Sequence, residues 1–167
     1  LIEALAKAFL HEDNSKEKIE AALDLSNDYA EVFEHLIKGN KSLEKISISP
    51  GRPIKVMLPV KVTDIEEAFR ICGKPAAIEH KYDGFRVLIN KDEKGKISLF
   101  TRRLENVTKQ FPDIIEIINN CIKAKTFIID SEVVGFDPIT KKYSPFEAIS
   151  QRIKRKYDIE KLKNDLP

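Results

Sequence analysis

The sequence predicts an α+β protein, with a helical N-terminal segment followed by a part built around an antiparallel β-sheet. Three observations carry this reading. Apolar residues recur at helical spacing up to about residue 45. After Gly73 the pattern changes to short β-branched and aromatic runs. Between the two, residues 47–59 hold three prolines and a glycine, which opposes a helix there and predicts an extended connector.

The elements follow in order. "LIEALAKAFL" sets Leu1, Leu5, Ala8 and Phe9 on one helical face. "NSKEKIEAALDLS" offers Asn14 or Ser15 as N-cap, with Ile19, Ala22 and Leu23 as its apolar stripe. In "SNDYAEVFEHLIKGN", Ser26 or Asn27 caps, Tyr29, Val32, Phe33, Leu36 and Ile37 form the stripe, and Gly39 is the stop. A trio of short helices buries little by itself, so more helices are expected before Leu1. "TDIEEAFRICG" predicts a short helix with a Thr63–Glu66 capping box and Gly73 as its stop. Four strands are then expected, in "PAAIEHKYD", "GFRVLINKD", "KISLFTRRL" and "TFIIDSEVVGFD", with "DEKG" as the tight hairpin connection between the second and third. "FPDIIEIINNCIK" is helical, with Ile114, Ile117, Ile118 and Cys121 on one face. "YSPFEAISQRIKRK" opens a last helix with Ser144 as N-cap, Pro145 at its first position and Glu147 closing a capping box. The expected division is an all-α part over 1–46, a connector over 47–59 and an α+β part over 60–167.

Composition narrows the class. With 42% apolar and 34% charged residues, a globular chain is favoured over a disordered one. The net charge of +2 gives no whole-protein attraction to a polyanion, so any such partner needs a local basic patch. Cys72 and Cys121 lie in apolar periodic segments and are expected to be buried, reduced thiols without metal-ligand spacing. No apolar run is long enough to span a membrane and no signal peptide is visible. The chain starts at Leu1 and its single methionine is Met57, so it is expected to be a piece of a longer protein.

Chemistry concentrates in "EHKYDGFR". A turn at Asp83-Gly84 would bring Lys81, Asp83 and Arg86 together. A lysine amine, with an ordinary pKa of about 10.4, attacks phosphorus or a carbonyl only when a nearby cation or burial removes its proton. An arginine fork suits a phosphate or a ribose hydroxyl, and a carboxylate suits a metal or a sugar hydroxyl. Together these parts suit nucleotide chemistry. Lys-x-Asp-Gly alone is better read as a solvated hairpin edge.

The stretch resembles the nucleotide-binding motif of the ATP-dependent DNA ligases, lysine-x-aspartate-glycine-x-arginine with a glutamate two residues upstream: here Glu79, Lys81, Asp83, Gly84 and Arg86. "TRRLENVTKQFPDI" resembles the next ligase motif, with Arg102 at the family's arginine and Arg103 where asparagine is commoner. "FIIDSEVVGFD" resembles the third, giving Asp130 and Glu132. "SPFEAISQRIKRKYDIE" and "SPGRPIKVMLP" also look like ligase segments, and the archaeal members look closest. The resemblance implies that 1–46 ends a helical DNA-binding domain and that 60–167 is the N-terminal part of a nucleotidyltransferase (adenylation) domain.

It further implies that Lys81 attacks the α-phosphate of ATP to form lysyl-AMP, which is passed to the 5′-phosphate of a nick in duplex DNA before the 3′-hydroxyl displaces AMP. Glu79 would lie beside the adenine, Arg86 and Arg102 would contact sugar and phosphate, and Glu132 would hold the ribose or assist Mg²⁺. Asp83 would act on the ribose side or at the metal. The family's later motifs and its OB-type domain lie outside this sequence, so the isolated chain is expected to be inactive. The resemblance also implies a sliding clamp as a partner, bound upstream of Leu1, and a place in the archaeal cytoplasm or, for a eukaryotic source, the nucleus.

Other readings remain. An RNA ligase or RNA-capping guanylyltransferase shares the lysine motif, and the latter would prefer GTP. A non-catalytic DNA-binding module would use Lys81 as a phosphate contact. Arg152, Lys154, Arg155 and Lys156 form either a solvated helix face or a contact to DNA phosphates. His11, His35 and His80 are scattered, and alternation turns His80 away from Lys81, which argues against a catalytic histidine. Asp137 reads as a turn residue.

Overall fold

The computed structural model describes residues 1–10, 12, 14–137, 139–154 and 157–159. His11, Arg155 and Lys156 lie outside the described residues. Two apolar cores organise the chain. The first is made by helices α1 (Ile2–Phe9), α2 (Ser15–Ser26) and α3 (Tyr29–Ile37), with a 3₁₀ turn at Asn40–Lys45. It closes around Leu5, Leu10, Ile19, Ala22, Val32, Leu36, Leu43 and Ile46. The buried face of α1 is shifted from the expected one. Ala8 is exposed and Ala6 is buried, because Leu10 leaves the helix in an extended conformation and turns into the core.

The caps also differ from expectation by a residue. Asp28 caps α3, accepting from the amides of Ala30 at 2.8 Å and Glu31 at 3.2 Å. Ser26 Oγ instead accepts from the Asp28 amide at 3.2 Å. Asp64, not Thr63, caps α4 (Ile65–Cys72), accepting from the Glu67 amide at 2.7 Å. In each case the residue directly before the first helical turn carries a carboxylate, which satisfies the free amides as well as a hydroxyl does. Residues 47–59 carry no helix or strand, as expected. They are tied to the helices by two ion pairs, Arg52 with Glu31 and Lys55 with Asp24.

The second core is built on a three-stranded antiparallel sheet: β1 (Phe85–Lys91) in the centre, β2 (Ile97–Thr101) on one side and β3 (Phe127–Val133) on the other. The expected β1–β2 hairpin is present. Asp92 Oδ1 accepts from the amides of Lys94 and Lys96, and Gly95 takes a positive φ of 79° that a glycine adopts without strain. Alternation aims Phe85, Val87, Ile89, Ile97 and Leu99 at a core completed by α5 (Pro112–Cys121) and α6 (Phe146–Lys154). On α5 the inward stripe is Ile114, Ile115, Ile118 and Ile122, while Ile117 and Cys121 face solvent. Cys72 is exposed as well, so both thiols are free but neither is buried. Two-residue strands β4 (Gly135–Phe136) and β5 (Tyr143–Ser144) pair with each other. Ser144 therefore belongs to a strand, and α6 begins at Phe146, after Pro145.

The strand expected over 75–83 does not form a ladder. The sheet closes as β2-β1-β3 without it. None of its side chains is buried, and Ile78 is 91% exposed, so pairing would gain it no apolar burial. Among the described residues no helix is long and apolar enough to cross a membrane.

Candidate active site

Lys81, Arg86, Arg102 and Glu132 line one open cleft of about 910 Å³, within the usual size for a small-molecule site. Different segments deliver each group. Lys81 lies in the unpaired segment that leads into β1. Arg86 is the second residue of β1, and Glu132 is its direct cross-strand partner on β3. Arg102 and Arg103 occupy the turn after β2. One wall is α6, which contributes Phe146, Ser150, Ile153 and Lys154.

Gly84 permits this assembly for a reason other than the turn read from sequence. Its backbone is not in the left-handed region. A Cβ there would collide with the Val133 carbonyl oxygen and would lie 2.8 Å from Val134 Cγ1. The start of β1 thus rests directly on β3.

The arginine of the motif is held in place. Arg86 Nε donates to Asp130 Oδ1 at 2.8 Å and Oδ2 at 3.1 Å, its Nη2 also donates to Asp130 Oδ2, and Nη1 donates to the Met57 carbonyl at 3.0 Å. Asp130 is thus the diagonal cross-strand neighbour that fixes the Arg86 fork. Its placement was readable from the alternation in "DSE", which sets Asp130 and Glu132 on one face; its pairing with Arg86 was not. The hydrogen bond to Asp130 raises the Arg86 pKa further, so the fork is permanently cationic. Burial, joined by the charge of Asp130, pushes the Glu132 carboxyl above its ordinary value, while Lys81, Arg86 and the Gly84 amide pull it back only in part. Glu132 therefore responds to the positive charge of Lys81.

Two expected site residues stand elsewhere. Glu79 is exposed and does not line the cleft. Asp83 faces the N-terminus of α6, where its Oδ2 accepts from the Phe146 amide at 3.1 Å. It lines a neighbouring cavity with His80, Tyr82 and Tyr143, whose rings meet edge to face at 5.9 Å. Arg152 is not on a DNA-facing surface. It is 4% exposed. Its guanidinium pairs with Asp113, donates to the Gln110 carbonyl at 3.2 Å and sits 4.6 Å from the Phe111 ring. The cation is buried because a carboxylate on α5 and an aromatic face compensate it. Among the described residues no group of three histidine, cysteine or acidic side chains is placed to hold a metal.

Comparison with known proteins adds a second line of argument. A family model described as ATP dependent DNA ligase domain matches residues 56–167. The sequence is 45% identical to a DNA ligase of Nanoarchaeum equitans over 99% of the chain. It is 40% identical to a DNA ligase of Methanosphaera stadtmanae over its whole length, and 37% identical to one from Saccharolobus solfataricus over 95%. The chain spans 29%, 29% and 26% of these relatives, respectively.

Proposed function

Because the chain belongs to the family described as ATP dependent DNA ligase domain, we propose that it carries the nucleophile half of a nick-sealing DNA ligase. The observation that carries the reading is the cleft, where Lys81 stands with Arg86, Arg102 and Glu132 inside the segment the family model matches. In this mechanism the neutral Lys81 Nζ forms a P–N bond to the α-phosphorus of ATP and gives up a proton to water. The bond from the α-phosphorus to the bridging oxygen breaks, and pyrophosphate leaves with the electron pair. AMP then moves to the 5′-phosphate of a nick in duplex DNA, freeing Lys81. Attack by the 3′-hydroxyl expels AMP and closes the strand.

The chain's own residues supply position and charge. The Arg86 fork, held by Asp130 and Met57, is presented without reorganisation. Arg102 adds positive charge to the same cleft. Glu132 is assigned to the ribose. It also fits Mg²⁺, which takes one or two carboxylates and completes its shell with phosphate oxygens. The ion would neutralise charge on the phosphates. Glu79 is assigned to the adenine, and Asp83 to shaping the pocket through α6. Residues 1–46 are read as the end of a DNA-binding domain, 47–59 as a connector and 60–167 as the first part of the adenylation domain. Arg155 remains a candidate for DNA phosphates. A sliding clamp is a further partner of this reading, and an archaeal cytoplasm or a nucleus its compartment.

The test is nick joining by the full-length protein carrying this sequence. Sealing of a nicked DNA duplex with ATP, and not with GTP, is the expected result. Preference for GTP would point to a capping enzyme, sealing of RNA alone to an RNA ligase, and DNA binding without sealing to a non-catalytic module.

A further inference from the structure

The cleft is lined by five cations, Lys81, Arg86, Arg102, Arg103 and Lys154, against two carboxylates, Glu105 and Glu132. Arg86 is neutralised by Asp130. Among the described residues, Lys81, Arg102, Arg103 and Lys154 form no ion pair, and all four line the same cleft. Lys154 is exposed and sits at the C-terminal end of α6. It reaches the cleft because the preceding turn of its helix is locked. Arg152 is clamped by Asp113 at 2.5 and 3.0 Å and stacks on Phe111, which fixes the roll of α6 about its axis. The same docking turns Ile153 toward the core and brings Ser150, one turn earlier, to the same wall.

We propose that Lys154 binds the phosphate chain of the nucleotide substrate and is not a contact to the DNA backbone. The inference rests on the reading of Lys81 as the attacked-phosphate nucleophile. A triphosphate carries several negative charges, and a cleft that accepts it needs cations on more than one wall. The turn after β2 supplies Arg102 and Arg103, and α6 supplies Lys154 from another segment. Arg152 is the positioning residue behind it. Lysine suits this place as a mobile point charge able to follow the phosphates as pyrophosphate leaves.

The test uses the full-length protein with Lys154→Gln and Lys154→Arg, each exposed enough to leave folding intact. Self-adenylylation is measured against ATP concentration, and nick binding by the pre-adenylylated enzyme against salt. Expected for Lys154→Gln is a rise of about tenfold or more in the ATP concentration for half-maximal adenylylation, partial recovery in Lys154→Arg, and an unchanged salt slope of nick binding. A salt slope reduced by about one, with adenylylation unchanged, would make Lys154 a DNA phosphate contact and overturn the proposal. Unchanged behaviour in both assays would overturn it equally. Failure of the unsubstituted protein to become adenylylated would refute the ligase reading itself, which separates the two.

Discussion

Replacing Arg152 by alanine is expected to cost about 3 kcal/mol of stability, the lower end of the range for breaking a buried ion pair. The lower end applies because Asp113 keeps 23% of its side-chain exposure. The loss has three physical parts: Asp113 is left partly buried without its cation, the Gln110 carbonyl loses a donor, and Phe111 loses the guanidinium over its face. The contribution is pH-dependent. Burial alone would raise the Asp113 pKa, but the Arg152 hydrogen bond and charge outweigh it and hold the carboxyl below its ordinary range. A depressed carboxylate stabilises fully above its unfolded pKa of about 3.9 and loses that contribution as pH falls through the folded value. Urea unfolding at pH 7 and at pH 3 measures both points. The difference between wild type and Arg152→Ala should shrink at the lower pH. A cost under about 1 kcal/mol at pH 7 would mean the pair behaves as a solvent-screened surface bridge.

Gly84→Ala is expected to be the most damaging single-methyl change in the sheet. The added Cβ meets backbone, the Val133 carbonyl, which cannot rotate aside. Overpacking of this kind costs about 1–3 kcal/mol, and backbone contact places it near the top of that range. The functional loss should exceed the stability loss. Relief requires β1 and β3 to separate at Phe85–Val133, next to the Arg86–Glu132 pair. The distances that set Lys81 against Glu132 would change with it. Thermal unfolding and self-adenylylation, measured on the same full-length variant, check both effects. Normal adenylylation with normal stability would show that the close approach at Gly84 is not required.

Local rules with a fixed period were legible in the sequence. The β1–β2 hairpin follows from Asp92 to Gly95 and the alternation around them. The helices follow from their apolar repeats, although α5 buries Ile114, Ile118 and Ile122 where Ile117 and Cys121 were also expected. Features set by partners distant in sequence were not legible. The 75–83 run has strand composition, but none of its side chains is buried, so pairing brings no apolar burial. Arg152 reads as a surface cation until its carboxylate, 39 residues earlier in the chain, is known. Asp83 likewise caps a helix 63 residues away. The four residues singled out by the resemblance, Lys81, Arg86, Arg102 and Glu132, share one cleft. Motif spacing gave no signal for the hold that Asp130 and the Met57 carbonyl exert on Arg86.

The most direct measurement of the central claim is incubation of the full-length protein with α-labelled ATP and Mg²⁺, followed by denaturation, peptide mapping and comparison with Lys81→Ala. Acid-labile AMP is expected on the peptide containing Lys81, and none on the variant. Label that persists in Lys81→Ala, or a folded wild type that binds DNA and never acquires label, would contradict that claim.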